Sequence, residues 1–408
     1  MTSINLDQYI TDRKLDIDPQ AFKELSSKYE KKELISAIAD LFLERKLDFP
    51  FPLNLTPETV ESDFVELSKP TDLKIFTESK QLFKFEYQYP AGRYLISNGF
   101  RNGNNLSNYF QYYNRMACET PVGAPIVEFF RNRSYLTGSV LPMIWCLKYD
   151  FINSDSIIRG LNMGRQVAGQ FKPVIAKAFY EITNSKKVLD LCAGWGDRLA
   201  GFYVSSAEEY FGIDPNTKVF ETYHTQEKFY RQLQEKYRFP KKKCTFVNKP
   251  AEDTDIPENY FDIMFTSPPY FDVEVYSKDE TQSCIRYQEL DSWIENFLFK
   301  SLEKAFKALN TDGRLLVNIS DFKKRKSGEV IRICDRMNDF IRSLGMGNFE
   351  CIGMKLNKRY VANNNLGKLI NDNLEIPFVE PVWCWCKNPD SPKISEILDS
   401  RKGKLDEW

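Results

Sequence analysis

The sequence predicts an α/β fold: a seven-stranded, mostly parallel sheet with helices on both faces, preceded by an N-terminal, mainly helical extension. Three observations lead there. Beyond residue 160, apolar runs of strand length alternate with runs of helical period, as βαβ units require. The first of them, KKVLDL, breaks into the glycine turn CAGWGDR before a helical stretch. Ahead of residue 160 the period is helical or irregular, and the chain is rich in aromatics, Asn and Arg.

In chain order, Phe22, Leu25, Tyr29, Leu34, Ile38 and Leu41 share one face of a helix over 21–46. Residues 50–75 are acidic and punctuated by proline, which predicts short elements at best. NGFRNGNNLSNYFQYYNR (98–115) is the densest polar-aromatic piece. Between 101 and 180, nine Lys/Arg stand against four Asp/Glu, the most basic sizeable window of the front half. A loop and helix, NMGRQVAGQFKPVIAKAFYEI, follow a boundary placed at 155–165. Strands are expected at KKVLDL, EYFGID, CTFVN, YFDIMFT, RLLVNIS, NFECIGMKL and EPVWCWCK. A long helix, LDSWIENFLFKSLEKAFKALN, precedes the fifth strand through a turn at 311–313. The expected domains are a helical or mixed one (1–160), an α/β one (161–390) and a polar tail (391–408).

Composition narrows the chemistry. The net charge is −1, so any polyanionic partner must be attracted by local patches. His224 is the only histidine, which disfavours a Ser-His-Asp triad and a His-rich metal site. Nine cysteines without paired spacing, and no signal peptide, point to a reducing cytoplasmic setting and no metal. Cys384 and Cys386 share one strand face and read as buried strand cysteines. No apolar run reaches the roughly 20 residues of a membrane span.

The strand ends carry the candidate site. Asp190 closes the first strand, and Cys192, Ala193, Gly194 and Gly196 form the turn, where backbone can approach a ligand closely. Position 199 is Leu, so the dinucleotide fingerprint is incomplete, and no Lys-Ser/Thr follows to make a phosphate loop. A carboxylate before the turn suits a cationic or hydroxyl-bearing ligand. Asp214, 18 residues after Gly196, suits a ribose diol, and Glu252 or Asp253 suits the exocyclic amine of adenine. Adenine, ribose and a cationic tail are the implied parts. Chance acids at strand ends of a nucleotide-free domain are the plainer alternative.

DLCAGWGDR, the acid after strand two and TSPPY after strand four, in that order, resemble the S-adenosylmethionine-dependent amino-methyltransferases of nucleic acid, over about residues 160–390. The resemblance implies a Rossmann-like methyltransferase sheet, S-adenosylmethionine as cofactor and transfer to an exocyclic amine. Ser267-Pro268-Pro269-Tyr270 is similar to the motif of DNA enzymes acting on the cytosine 4-amino group. Such enzymes serve in restriction-modification and phage-defence systems. Adenine 6-amino enzymes, RNA amino-methyltransferases and an inactive cofactor-binding subunit are the alternatives.

The stiff diproline has a chemical use in that setting. An exocyclic amine is a poor nucleophile until acceptors hold its N–H groups and let nitrogen pyramidalise. The Ser267 hydroxyl and a carbonyl of the Pro268-Pro269 segment are such acceptors, fixed in advance. Tyr270 offers a ring to stack on a flipped base, and Phe271 a second wall. Phe171 and Pro173, near Lys172, match the family's N-terminal cofactor motif loosely, although Pro173 also fits a helix start. Asn318 and Asp321 either line the pocket or end a strand.

No large target-recognition insert interrupts the α/β part, so DNA (or RNA) must be read elsewhere. Arg101, Arg115, Arg131 and Arg133 are the expected phosphate or base contacts, with packed, solvated charges as the alternative. Lys323, Lys324 and Arg325 follow strand five at the catalytic edge, and the loop 357–368 is a further backbone contact. KKK (241–243) lies at the opposite edge and reads as solvated. A specificity partner or a homodimer would fit the missing insert.

Overall fold

The structure, a computed structural model, describes residues 4–97, 103–120, 123–324, 327–356 and 377–403. The chain forms two compact units: 1–60 with 109–169 and 274–276, and 61–108 with 170–273 and 277–408. The boundary expected at 155–165 falls at 169/170. Residues 61–108 fold with the α/β unit because three short strands within them join its sheet.

The first unit is helical. The helix expected over 21–46 is two helices, α1 (Pro19–Lys28) and α2 (Lys31–Glu44). Asp18 caps the first, and a Glu30/Glu33 capping box restarts the chain as the second, which ends any continuous helix at Tyr29. Phe22, Ile38 and Leu41 still share one core, with Leu136, Ile144 and Leu161. The proline-rich stretch holds a full helix, α3 (Pro57–Ser68), most of which, from residue 61 on, belongs to the second unit. Its proline sits at the first helical position, and Val60, Phe64 and Leu67 form a buried stripe.

The second unit is built on a ten-stranded sheet. Its strands are β1 (Phe76–Glu78), β2 (Leu82–Phe83), β3 (Tyr94–Ile96), β4 (Lys187–Asp190), β5 (Glu209–Ile213), β6 (Lys243–Val247), β7 (Phe261–Thr266), β8 (Leu309–Asn318), β9 (Gly347–Lys355) and β10 (Phe378–Cys386). The order is β1-β3-β9-β10-β8-β7-β4-β5-β6, with β2 beside β10. The seven expected strands are β4 to β10, and the three extra ones come from 61–108. Pairs β8–β7, β7–β4, β4–β5 and β5–β6 are parallel, and β10 runs antiparallel to β8 and β9 and parallel to the short β2. β7 and the Leu315–Val317 stretch of β8 are buried on both faces, as strands covered by helices on each side must be. The turn expected at 311–313 lies inside β8 as a register shift between Leu309 and Arg314.

Four helices bear on the site: α4 (Pro173–Ile182), α5 (Asp197–Tyr203), α6 (Thr217–Tyr237) and α7 (Lys300–Ala308). Strand order reverses around β4 and β7, the crevice where open α/β sheets take ligands.

Two expectations are corrected. The polar tail contains a helix, α8 (Ile394–Gly403), whose Ile394 and Leu398 are buried while Glu350 accepts from its first amides. Lys242 is buried rather than solvated. Its Nζ donates to the carbonyls of Phe202 (2.8 Å), Ser205 (2.7 Å) and Ala207 (2.5 Å), satisfying the last turn of α5 and the loop after it. Lys242→Ala strands three acceptors and should cost about 2–4 kcal/mol, read as a lower urea midpoint; an unchanged midpoint would contradict this role.

Candidate active site

Asp190 closes β4 and is fully buried. Its Oδ2 accepts from Arg198 Nε (2.7 Å) and the Tyr210 hydroxyl (2.7 Å); its Oδ1 accepts from Cys192 N (3.3 Å) and Thr266 Oγ1 (3.1 Å). A carboxylate offers about four acceptor positions, so none is left for a ligand. The expectation that Asp190 faces a bound cation is corrected: its cation is Arg198, eight residues on, which also donates to the Cys192 carbonyl.

The turn itself opens outward. Gly194 has φ +55°, donates its N–H to Asp214 Oδ2 (2.8 Å), and accepts from the Tyr223 hydroxyl. A Cβ there would meet only the Cys192 carbonyl, at 3.7 Å, so one side of the turn is open space. Gly196, φ +76°, begins α5, and a Cβ there would strike the Gln226 side chain at 2.6 Å. Both backbones lie in the region glycine tolerates, but only Gly194 borders room for a ligand. Ala193 is held through its amide to Ile213 O (2.8 Å). Cys192 serves as packing: burial pushes its thiol well above the ordinary range.

The next two strand ends supply acids that are not saturated. Asp214 is almost buried and accepts from the Gly194 and Asn216 amides (2.8 and 2.9 Å), which leaves acceptor capacity. Burial pushes its pKa up to about 6, against the lowering pull of those two amides. Glu252 accepts from Arg286 through Oε1 (3.0 Å); its own amide and the Tyr287 hydroxyl also pull on the carboxylate, while the buried Oε2 has no partner at full hydrogen-bond geometry. Burial raises this carboxyl too. Asp253 is half-exposed and holds Arg286 from the other side, so Glu252 is the acid that faces inward.

β7 delivers the proline loop. Thr266 donates to Asp190 and accepts from Cys192 N (3.1 Å), tying this loop to the glycine turn. Ser267 Oγ donates to Asn318 Oδ1 (3.3 Å) at the end of β8. Pro268 is buried, Pro269 is half-buried, and the Tyr270 hydroxyl donates to Glu380 of β10. Phe271 is not a second wall. It is buried against Trp293 (ring centroids 5.8 Å apart) and holds φ +52°, a costly value for a bulky residue. Asp321 is structural, accepting from the Ile333 and Cys334 amides (2.8 and 2.9 Å).

Phe171 stands edge-on to Phe265 (5.4 Å) and beneath Arg198 (5.3 Å). Pro173 is buried at the first position of α4, the helix-start role, with Lys172 as N-cap.

The expected nucleic-acid contacts are mostly engaged within their own unit. Arg115 donates to Ala168 O (3.0 Å), Arg131 to Leu47 O (3.2 Å), and Arg133 clasps Asp40 (2.6 and 3.0 Å). Arg115 is tied to backbone and Arg133 to a carboxylate, whereas the alternative to nucleic-acid contact expected solvated charges. Lys323 is exposed on a two-strand hairpin, Phe322–Lys323 with Val330–Ile331, and Lys324 faces Glu329 at 3.7 Å. Arg101, Arg325 and the loop 357–368 lie outside the described residues. Cys384 and Cys386 are buried in β10. Among the described residues no group of three His, Cys, Asp or Glu is placed to hold a metal, and no helix is long and apolar enough to cross a membrane.

Sequence reasoning missed Arg198, Tyr210, Thr266, Arg286 and Glu380. Arg198 was findable, since an Arg facing a strand-end Asp across a glycine turn is a natural partner. Glu380 follows Tyr270 by 110 residues and left no local signal.

No family model matches the chain, and no curated protein does. Solved structures are similar at low level. The tRNA (m1A58) methyltransferase TrmI from Aquifex aeolicus shares 14% identity over 52% of this chain and 66% of its own, with TM-score 0.29. An S-adenosylmethionine-dependent O-methyltransferase from Thermotoga maritima shares 10% over 57% and 71%, with TM-score 0.34. A putative methyltransferase from Bacillus halodurans shares 10% over 53% and 98%, with TM-score 0.32.

Arg198→Met leaves Asp190 charged, buried and short of its cation, and should cost about 3–5 kcal/mol. Unfolding in urea should show the paired change Asp190→Leu with Arg198→Met to be milder than Arg198→Met alone. Equal losses would contradict the pairing.

Proposed function

We propose that the chain is an S-adenosylmethionine-dependent amino-methyltransferase of nucleic acid, acting on DNA with the cytosine 4-amino group preferred. The observation that carries this reading is the pairing of an open glycine turn with a proline loop that presents a hydroxyl acceptor, both tied to Asp190. The donor set fits the cofactor. The buried Glu252 Oε2 lacks a hydrogen-bond partner and suits the adenine amine. Asp214 has acceptor capacity for ribose hydroxyls, and the space beside Gly194 suits the sulfonium-bearing methionine arm.

S-adenosylmethionine supplies a methyl group already activated on a sulfonium. The residues of the chain have only to position the amine. Ser267 Oγ and a carbonyl of the Pro268-Pro269 segment accept its two N–H groups, so the nitrogen lone pair leaves the ring system and is free to take a methyl group. With S-adenosylmethionine held by Glu252, Asp214 and the Gly194 turn, the amine would accept the methyl group, S-adenosylhomocysteine would leave, and the extra proton on nitrogen would pass to water. Tyr270, anchored through Glu380, stacks on the base. Neither a histidine base nor a nucleophilic thiol is needed.

Incubation of DNA and RNA with labelled methyl donor, followed by mass analysis of nucleosides, tests substrate and reaction together. The expected product is 4-amino-methylated cytosine in DNA. Methylated adenine, or methyl in RNA alone, would overturn the base or polymer assigned here. Ser267→Ala and Tyr270→Ala should each lower turnover by about 100-fold, while S-adenosylhomocysteine still binds. Unchanged turnover would contradict the loop's role.

Asp214 makes binding depend on pH. Its folded pKa is raised, so the folded chain holds a proton that the unfolded chain has lost, and the group's contribution to stability falls as pH rises through about 6. Hydroxyl donors prefer the ionised form. Affinity for S-adenosylhomocysteine should therefore fall below pH 6, with a limiting slope of about tenfold per pH unit. Asp214→Ala should flatten that slope, and a flat profile in the unaltered protein would contradict it.

A further inference from the structure

We infer that Asn318 is a positioning residue that fixes the polarity of Ser267, making its hydroxyl an acceptor toward substrate; the inference rests on the amino-methyltransferase reading above. A serine hydroxyl can donate once and accept twice, and which it presents depends on where its proton points. Ser267 is half-buried, and its one described side-chain partner is Asn318 Oδ1 at 3.3 Å. An amide oxygen only accepts, so the proton in that contact must come from Ser267. The contact is long for an O–H···O bond, as polar contacts of catalytic groups often are before substrate arrives.

The orientation of the amide is itself determined. Asn318 is 3% exposed, and its Nδ2 lies 3.0 Å from the Pro381 carbonyl in the neighbouring strand β10. The reverse orientation would set two acceptors against each other there and give Ser267 a donor. That would free the serine proton to point at the substrate and repel an amine N–H. Pro381 has no N–H of its own, so its carbonyl is the group this stretch of β10 offers. The chain of dependence runs Pro381 O, Asn318 Nδ2, Asn318 Oδ1, Ser267 proton, Ser267 lone pairs. The lone pairs of Ser267 Oγ are then left for a substrate, and an N–H donor satisfies them where a carbonyl oxygen or bare ring nitrogen does not. Asn318 thus selects for an amine as the atom to be methylated.

A double-mutant cycle on the full chain tests this, measured as single-turnover methyl transfer to DNA, with S-adenosylhomocysteine affinity and thermal midpoint recorded for each variant. Asn318→Ala should slow transfer by about 10- to 100-fold, leave cofactor affinity within about twofold, and cause no further loss in a Ser267→Ala background. Should the alanine variant unfold, Asn318→Ser keeps a hydroxyl for Pro381 and carries the same comparison. Losses that multiply independently, or a loss of transfer that tracks lost cofactor affinity, would overturn the role of Asn318 alone. Absence of transfer by the unaltered protein on every nucleic acid would overturn the methyltransferase reading, and this inference with it.

Discussion

The site is organised around one buried carboxylate. Asp190 draws four donors together from the end of β4, from β5, from β7 and from α5. A lone charge in that position would cost several kcal/mol in desolvation. Arg198 and three neutral donors offset the cost, and the low local dielectric strengthens each bond. The glycine turn and the proline loop are therefore not placed independently. Thr266 and Cys192 share the same carboxylate, so the two halves of the site move as one.

The remaining acids behave differently, and the contrast separates structure from binding. Asp190 is saturated, whereas Asp214 keeps acceptor capacity and Glu252 leaves a buried oxygen unmet. Buried polar groups without partners are rare in folded proteins because they cost stability. Their placement at successive strand ends around the crevice is what a ligand rich in N–H and O–H donors would repay. Phe271 fits the same pattern: a left-handed backbone on an aromatic residue stores strain beside the proline loop, and the packing against Trp293 holds it there.

Much of this was legible in the sequence. The seven strands, the glycine turn and the acids after β5 and β6 announce themselves through local pattern. The extra strands β1 to β3 did not, because two or three residues show no period. The helix over 57–68 was hidden by proline, read as a breaker where it opens a helix. Charge was harder to read than apolarity. Arg133 reads in sequence as a nucleic-acid contact and Lys242 as solvated, yet one clasps Asp40 and the other fills three carbonyls, partners set by tertiary contact alone. For the same reason Asp190 looked like a ligand group until Arg198 was seen to occupy it.

The most direct test of the whole account is a crystal structure of the chain with S-adenosylhomocysteine bound. The account predicts the adenine amine on Glu252 Oε2, the ribose hydroxyls on Asp214, and the sulfur over Gly194 facing Ser267. A ligand bound elsewhere, or Glu252 Oε2 still without a partner in the complex, would contradict it.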